Sequence, residues 1–267
     1  VTADRWDRTR FGLRSLPSRV ALVIPLLAAS AAAGAIEDSD AAMIRSCLFD
    51  GDAGLAIDAT DKSSAPLLAN TPDLVLSICR FASDSAFRLR PGIHESTPDQ
   101  LADRLERLAA SARSSAAARW AKAEVQVLRA RLALRSGNGK PEDLLAAATE
   151  VVRATAGTNL ADNGLLRAVD LHLEVAAGKE ARAKALEGLA SLAEIAEGDA
   201  SMSKATRAAA RAAVLLEGNG DAGTKVEEGL KLLTPFASKE APDPGVVRRY
   251  NDFVTLGRTL GQKTEYR

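Results

Sequence analysis

The sequence has little of what metal centres and reactive sites are commonly built from. Of 267 residues, 2 are Cys and 2 are His, which excludes a disulfide-dense scaffold and leaves little for a His- or Cys-based metal site. No cofactor is expected. Aromatic residues make up only 4%. Neither sign of charge is in excess, with 35 basic side chains against 35 acidic. A chain built mainly to hold nucleic acid needs surplus Lys and Arg on one face, so none is expected as a partner. Sustained apolar/polar alternation rich in Val, Ile, Thr and aromatics is missing, and with it any sheet. What is present is alanine, about a fifth of the chain, which leans strongly towards helix.

The first 35 residues read as an address. Arg5, Arg8, Arg10, Arg14 and Arg19 precede an uncharged run from Val20 to Ile36, and Glu37 and Asp38 follow it. A basic region, a short apolar region and small residues at A-x-A-like sites describe a secretory signal peptide, cut after Ala33 or Ala35. Left uncut, the run would be a membrane anchor with its arginine side in the cytoplasm. Its length of about 17 residues is marginal for a span. Pro25 would break a buried helix but is tolerated in a leader. Residues 1–35 are therefore expected to be a signal peptide or N-terminal anchor. The rest is expected to be exported, and periplasmic or anchored facing outward.

Beyond the leader the pattern is helical. Leu101, Leu105, Leu108, Ala109 and Ala112 share one face over 98–113. Thr97, Pro98 and Gln100 form a capping box with proline in the first turn. From Ala116 to Ser136 apolar residues lie on two sides: Trp120, Val125, Leu128 and Leu132 on one, Val127 and Leu134 on another. Such a helix is sandwiched between neighbours. Helices follow over 141–152, 165–177, 180–196, 202–217, 224–236 and 244–260. Between leader and repeats, 36–96 is expected to be a helical cap or diverged first repeats, with helices at 40–49, 53–59 and 72–89. Residues 97–267 form the repeat domain.

Gly137, Gly178 and Gly218 each end an Ala/Leu/Val helix and precede an amphipathic one, at spacings near 40 residues. A fixed period with two helices per unit is the mark of an α-solenoid, in which stacking completes the core. Over about 98–260 the chain resembles the tetratricopeptide-like α/α repeats. The family period is shorter, and its Trp–Leu-Gly–Tyr series is not found in order here. The resemblance implies stacked hairpins wound into a right-handed superhelix, and nothing residue-specific. The expected fold class is all-α.

Candidate sites were weighed residue by residue. Cys47 and Cys79 could close a disulfide in an oxidising compartment, across a loop of about 33 residues worth roughly 3–4 kcal/mol. Ser201 and Lys204 match a Ser-x-x-Lys spacing but lack its companion elements, and Ser201 reads more simply as an N-cap. Asp50, Asp52, Asp58 and Asp61 lack the calcium-loop series and read as a solvated acidic face. Asp103/Arg107, Glu180/Lys184 and Glu227/Lys231 are spaced for pairing along a helix. Arg129, Arg131 and Arg135 are candidates to line a groove for an acidic peptide. Trp120 is named first as a partner anchor, with core packing as its alternative.

These readings converge on a protein–protein interaction scaffold or adaptor in the cell envelope. Its partner is a protein or peptide, and the apolar leader offers contact with a membrane. The alternatives are an envelope enzyme or accessory using a carboxylate or Ser201/Lys204, and a structural subunit of an assembly.

Overall fold

The computed structural model describes residues 39–51, 53–62, 70–85, 97–178, 180–238 and 242–262. The leader expected at residues 1–35 lies outside them. Among the described residues there are eleven helices and no strand. They are α1 (Ser39–Phe49), α2 (Ala53–Lys62), α3 (Pro72–Asp84), α4 (Pro98–Ser111), α5 (Ala116–Ser136), α6 (Pro141–Thr155), α7 (Ala161–Ala176), α8 (Arg182–Gly198), α9 (Lys204–Glu217), α10 (Ala222–Ala237) and α11 (Pro244–Thr259). No helix among the described residues is long and apolar enough to cross a membrane.

Helix boundaries follow local chemistry where a cap exists. The Thr97 hydroxyl accepts the Gln100 N–H, and the Gln100 side chain accepts the Thr97 N–H in return, so the expected capping box forms. Gly137 ends α5 with φ +77, a left-handed turn that a residue without Cβ enters at no steric cost. Where no cap is written, prediction slips. α7 starts at Ala161 behind Leu160, which donates no side-chain cap, four residues ahead of the expected Leu165. The N-cap of α9 is Ser203, which accepts the Thr206 N–H, and not Ser201. Ser201 lies in the preceding turn, with its hydroxyl on Asp199.

Each helix packs on its chain neighbour. In addition, α3 packs on α5, α7 on α9 and α9 on α11. Alternate helices thus lie side by side from α3 to α5 and from α7 to α11, while α5 and α7 are joined through the side chains of Glu124 and Arg167. The apolar interior forms three clusters and not the single seam the repeat pattern suggests. Three helices join them. α6 gives Val151 and Ala154 to the first cluster and Leu144, Ala147 and Ala148 to the second. α5 gives Trp120 and Leu128 to the first cluster and Val127 and Ala130 to the second. α9 gives Ala210 and Ala213 to the second and Ala208, Ala209 and Ala212 to the third. A helix gripped from both sides needs short side chains there, which accounts for the alanine run of α9.

Helices also approach closely where a glycine meets a ring. A β-carbon on Gly188 of α8 would lie 2.3 Å from the His172 ring of α7, and one on Gly229 of α10 would lie 2.3 Å from the Phe253 ring of α11. His172 is buried and its Nδ1 sits 2.8 Å from the Ala168 carbonyl. Facing an acceptor, that nitrogen carries the proton. Burial lowers the imidazole pKa, and the Ala168 carbonyl offsets this only in part.

Candidate functional site

The ionisable residues placed inside the fold share helical registers. α3 supplies Arg80, Ser83 and Asp84, α5 supplies Trp120, Glu124 and Arg131, and α7 supplies Arg167, Asp170 and Glu174. Spacings of three, four, seven and eleven put each set on one face of its helix. At the centre, Arg167 donates through Nε to Glu124 Oε1 at 2.9 Å and through Nη2 to Glu124 Oε2 at 2.8 Å. It also donates to Ser83 Oγ at 3.0 Å and pairs with Asp84 at 2.7 Å. Ser83 donates to Glu124 Oε2 at 2.6 Å, and the Trp120 indole N–H to Glu124 Oε1 at 2.9 Å. Arg80 lies over the Trp120 ring, 5.0 Å from its centroid. Arg131 reaches the Ser83 carbonyl at 2.6 Å, Asp84 at 3.2 Å and Glu174.

One turn along α7, Asp170 accepts Arg249 at 2.7 Å and Arg248 at 2.5 Å from α11, while Arg249 also holds Asp252. α7 is therefore tied by charge to α3 and α5 on one side and to α11 on the other. The positive charges of Arg80, Arg131, Arg167, Arg248 and Arg249 are matched by Asp84, Glu124, Asp170, Glu174 and Asp252.

Such pairing moves the titrations of Glu124, Asp84 and Arg167 away from neutrality, while burial lowers Arg80 and raises Asp252. Burial alone pushes the Glu124 carboxyl up, but the charge and hydrogen bond of Arg167, with Arg80 behind, bring it below the usual carboxylate range. Asp84 follows the same pattern: burial raises it, and Arg167, Arg131 and Arg80 more than reverse this. Burial lowers Arg167, yet Asp84 and Glu124 hold its pKa well above the ordinary value. A general acid or base needs a pKa near the working pH, and this cluster holds its charges fixed. It is a clamp between helices, with Glu124 wholly buried and Asp84 and Glu174 at its open rim.

The arginines singled out from sequence do not share a groove. Two positions on a helix differ by about 200°, so Arg131 turns inward while Arg129 turns to α4, meeting Asp103 at 2.7 Å and Glu106 at 2.6 Å. Arg135 is exposed near the end of α5. Trp120 is 0% exposed, so it anchors the interior and no partner; its core alternative is what the structure carries. Cys79 is buried and Cys47 partly buried, and both are thiols. Burial, then the nearby Glu124 charge, push the Cys79 pKa far up, which makes it an inert packing residue. Asp58 is buried and pairs with Arg104 at 2.8 Å, so it is not part of a solvated face. Asp103 and Lys184 form ion pairs across helices, with Arg129 and with Glu142.

A second feature is a shallow depression of about 250 Å³ where the end of α8 meets α9 and α10. Lys204, Arg207 and Arg211 rise along one turn after another of α9, and Leu232 and Phe236 form the facing wall on α10. Sequence reading missed both features. Glu124, a charge inside a helix apolar on two sides, was the available signal for the first. No protein-family model, curated protein or solved structure matches the chain.

Proposed function

We propose that this chain is an exported helical-repeat protein that acts as a protein–protein interaction scaffold in the cell envelope. In this reading its hairpins wind as a right-handed superhelix of the tetratricopeptide-like kind. Export rests on the arginine-rich start and the uncharged Val20–Ile36 run. Scaffolding rests above all on α7, whose charges tie it at once to α3, α5 and α11. Helices far apart in sequence are thereby fixed to one another, and a surface shared by several hairpins is pre-organised for a partner.

The test begins with mass spectrometry of the native protein's amino terminus, with a start at Gly34 or Ile36 expected. In-cell photocrosslinking from exposed positions along α5, α7 and α9 should then give discrete protein adducts. An intact leader on a soluble cytoplasmic protein contradicts export, and absence of adducts from every position contradicts scaffolding.

One observation favours a second reading, a structural subunit of an assembly. Met43, Phe49 and Leu55 are exposed on α1 and α2, the first hairpin, with Phe49 at 61%. Apolar exposure at one end of a stack is what an end-to-end contact buries. Concentration-dependent sedimentation that Phe49→Asp abolishes would support it. An enzyme using Ser201 and Lys204 fits less well, because Ser201 precedes the helix that Lys204 begins and gives its hydroxyl to Asp199 at 2.6 Å.

A further inference from the structure

We propose that the depression between α9 and α10 is a docking groove for an extended acidic peptide in which acidic and bulky apolar side chains alternate. The inference rests on the scaffold reading and names its partner's chemistry. Its α9 wall presents Lys204, Arg207 and Arg211, at spacings of three and four, on one helical face. Among the described residues a single carboxylate, Glu197, lines the groove, and it is held by Arg211 at 2.8 Å. Asp199, at the edge, accepts both the N–H and the hydroxyl of Ser201. Arg207 spends one Nη2 bond on the Asp199 carbonyl, at 3.0 Å, and its buried Nε has no hydrogen-bond partner. Among the described residues Lys204 thus faces the groove with no side-chain carboxylate paired to it, and Arg207 has only a through-space attraction to Asp199. The clamp around Arg167 shows the opposite habit, since Arg131, Arg167, Arg248 and Arg249 each meet an acid there.

The opposite wall is apolar. Leu232 and Phe236 lie one turn apart on α10, both half-buried, with Ala208 between the walls. A groove basic on one side and apolar on the other fits a strand, whose successive side chains point to opposite sides. Acids at alternate positions would meet α9 while the residues between them meet Leu232 and Phe236. Arg207 to Arg211 spans about 6 Å at the helical rise, close to the roughly 7 Å between alternate side chains of an extended chain. The recognised core is therefore acid–apolar–acid, the mode in which pockets for alternate side chains give specificity. Carboxylates meeting guanidinium and ammonium groups make charge-assisted bonds, and an acceptor would satisfy the stranded Nε of Arg207.

The probe is an acetylated octapeptide of alternating Glu and Phe flanked by Ser and Gly, titrated into the 267-residue chain by calorimetry. Its counterpart with Lys in place of Glu is the control. The expected result is saturable one-to-one binding of the acidic peptide, at least tenfold tighter than the control and weakened as salt rises. Lys204→Glu with Arg211→Glu, both at exposed positions, should lower that affinity at least tenfold while the helical circular dichroism is kept. Leu232→Ser should weaken the acidic peptide as well, which a purely ionic contact would not show. Equal binding by the double variant, or no preference for the acidic peptide, overturns the groove. In that case, protein adducts from exposed positions elsewhere would leave the scaffold reading standing; their absence everywhere would remove that too.

Discussion

Arg167→Ala should cost about 3–5 kcal/mol in urea denaturation, because it strands the buried Glu124 carboxylate without its guanidinium. Glu124→Gln should cost clearly less, since an amide oxygen still accepts the Trp120 N–H. Equal, small losses would mean that the cluster is solvated. Trp120→Ala should remove about 3–5 kcal/mol as well, the price of emptying a fully buried ring site. His172 gives the chain a pH signature. Its folded pKa is depressed, so below the ordinary histidine value, near 6.5, the unfolded chain takes up the proton first. Stability is then lost as pH falls through that range. A thermal-melting series from pH 7.5 to 5 should show the decline, and His172→Leu should flatten it. Glu124 and Asp84, with depressed pKa values, add a second loss as pH falls below the usual carboxylate range near 4.

At the scale of the element, Gly229→Ala should destabilise by about 1–3 kcal/mol, because its new methyl group meets the Phe253 ring and α10 must move off α11. Unchanged melting would place the two helices farther apart. Existence of the helices was legible throughout the described residues, since apolar stripes at helical spacing do not depend on partners. Ends were legible only where the chain writes its own signal, as with Thr97 and Gln100 or Gly137. α7 carries no such signal and began four residues early. Ser201 and Ser203 are equally good caps by type, and the side chain of Asp199, which holds Ser201, decided between them. Close approaches were not legible, because which glycine faces which ring depends on the packing of neighbouring helices.

For the whole molecule, the all-helical class was readable from the alanine content and the helical spacing of the apolar residues. Alternate helices begin at 116, 161, 204 and 244, at spacings of 45, 43 and 40 residues. The interior charges were not readable, since Ser83 and Arg167 are 84 positions apart and nothing local predicts their meeting. Nor could sequence divide the arginines of α5 into one that faces α4 and one that enters the clamp until the neighbours of α5 were placed. The basic groove was hidden for the same reason: α9 read alone shows only a mixed face, and it acquires an apolar wall when α10 folds beside it.

Everything at this scale depends on α7 lying against helices that the chain reaches much later. A double-mutant cycle on Asp170→Ala and Arg249→Ala, 79 positions apart and bonded at 2.7 Å, tests this contact by chemical denaturation. Stacked helices predict a coupling of about 1–3 kcal/mol between the two changes. Additive losses, with a coupling below about 0.3 kcal/mol, would mean that α7 and α11 do not meet and that no shared surface exists for a partner to read.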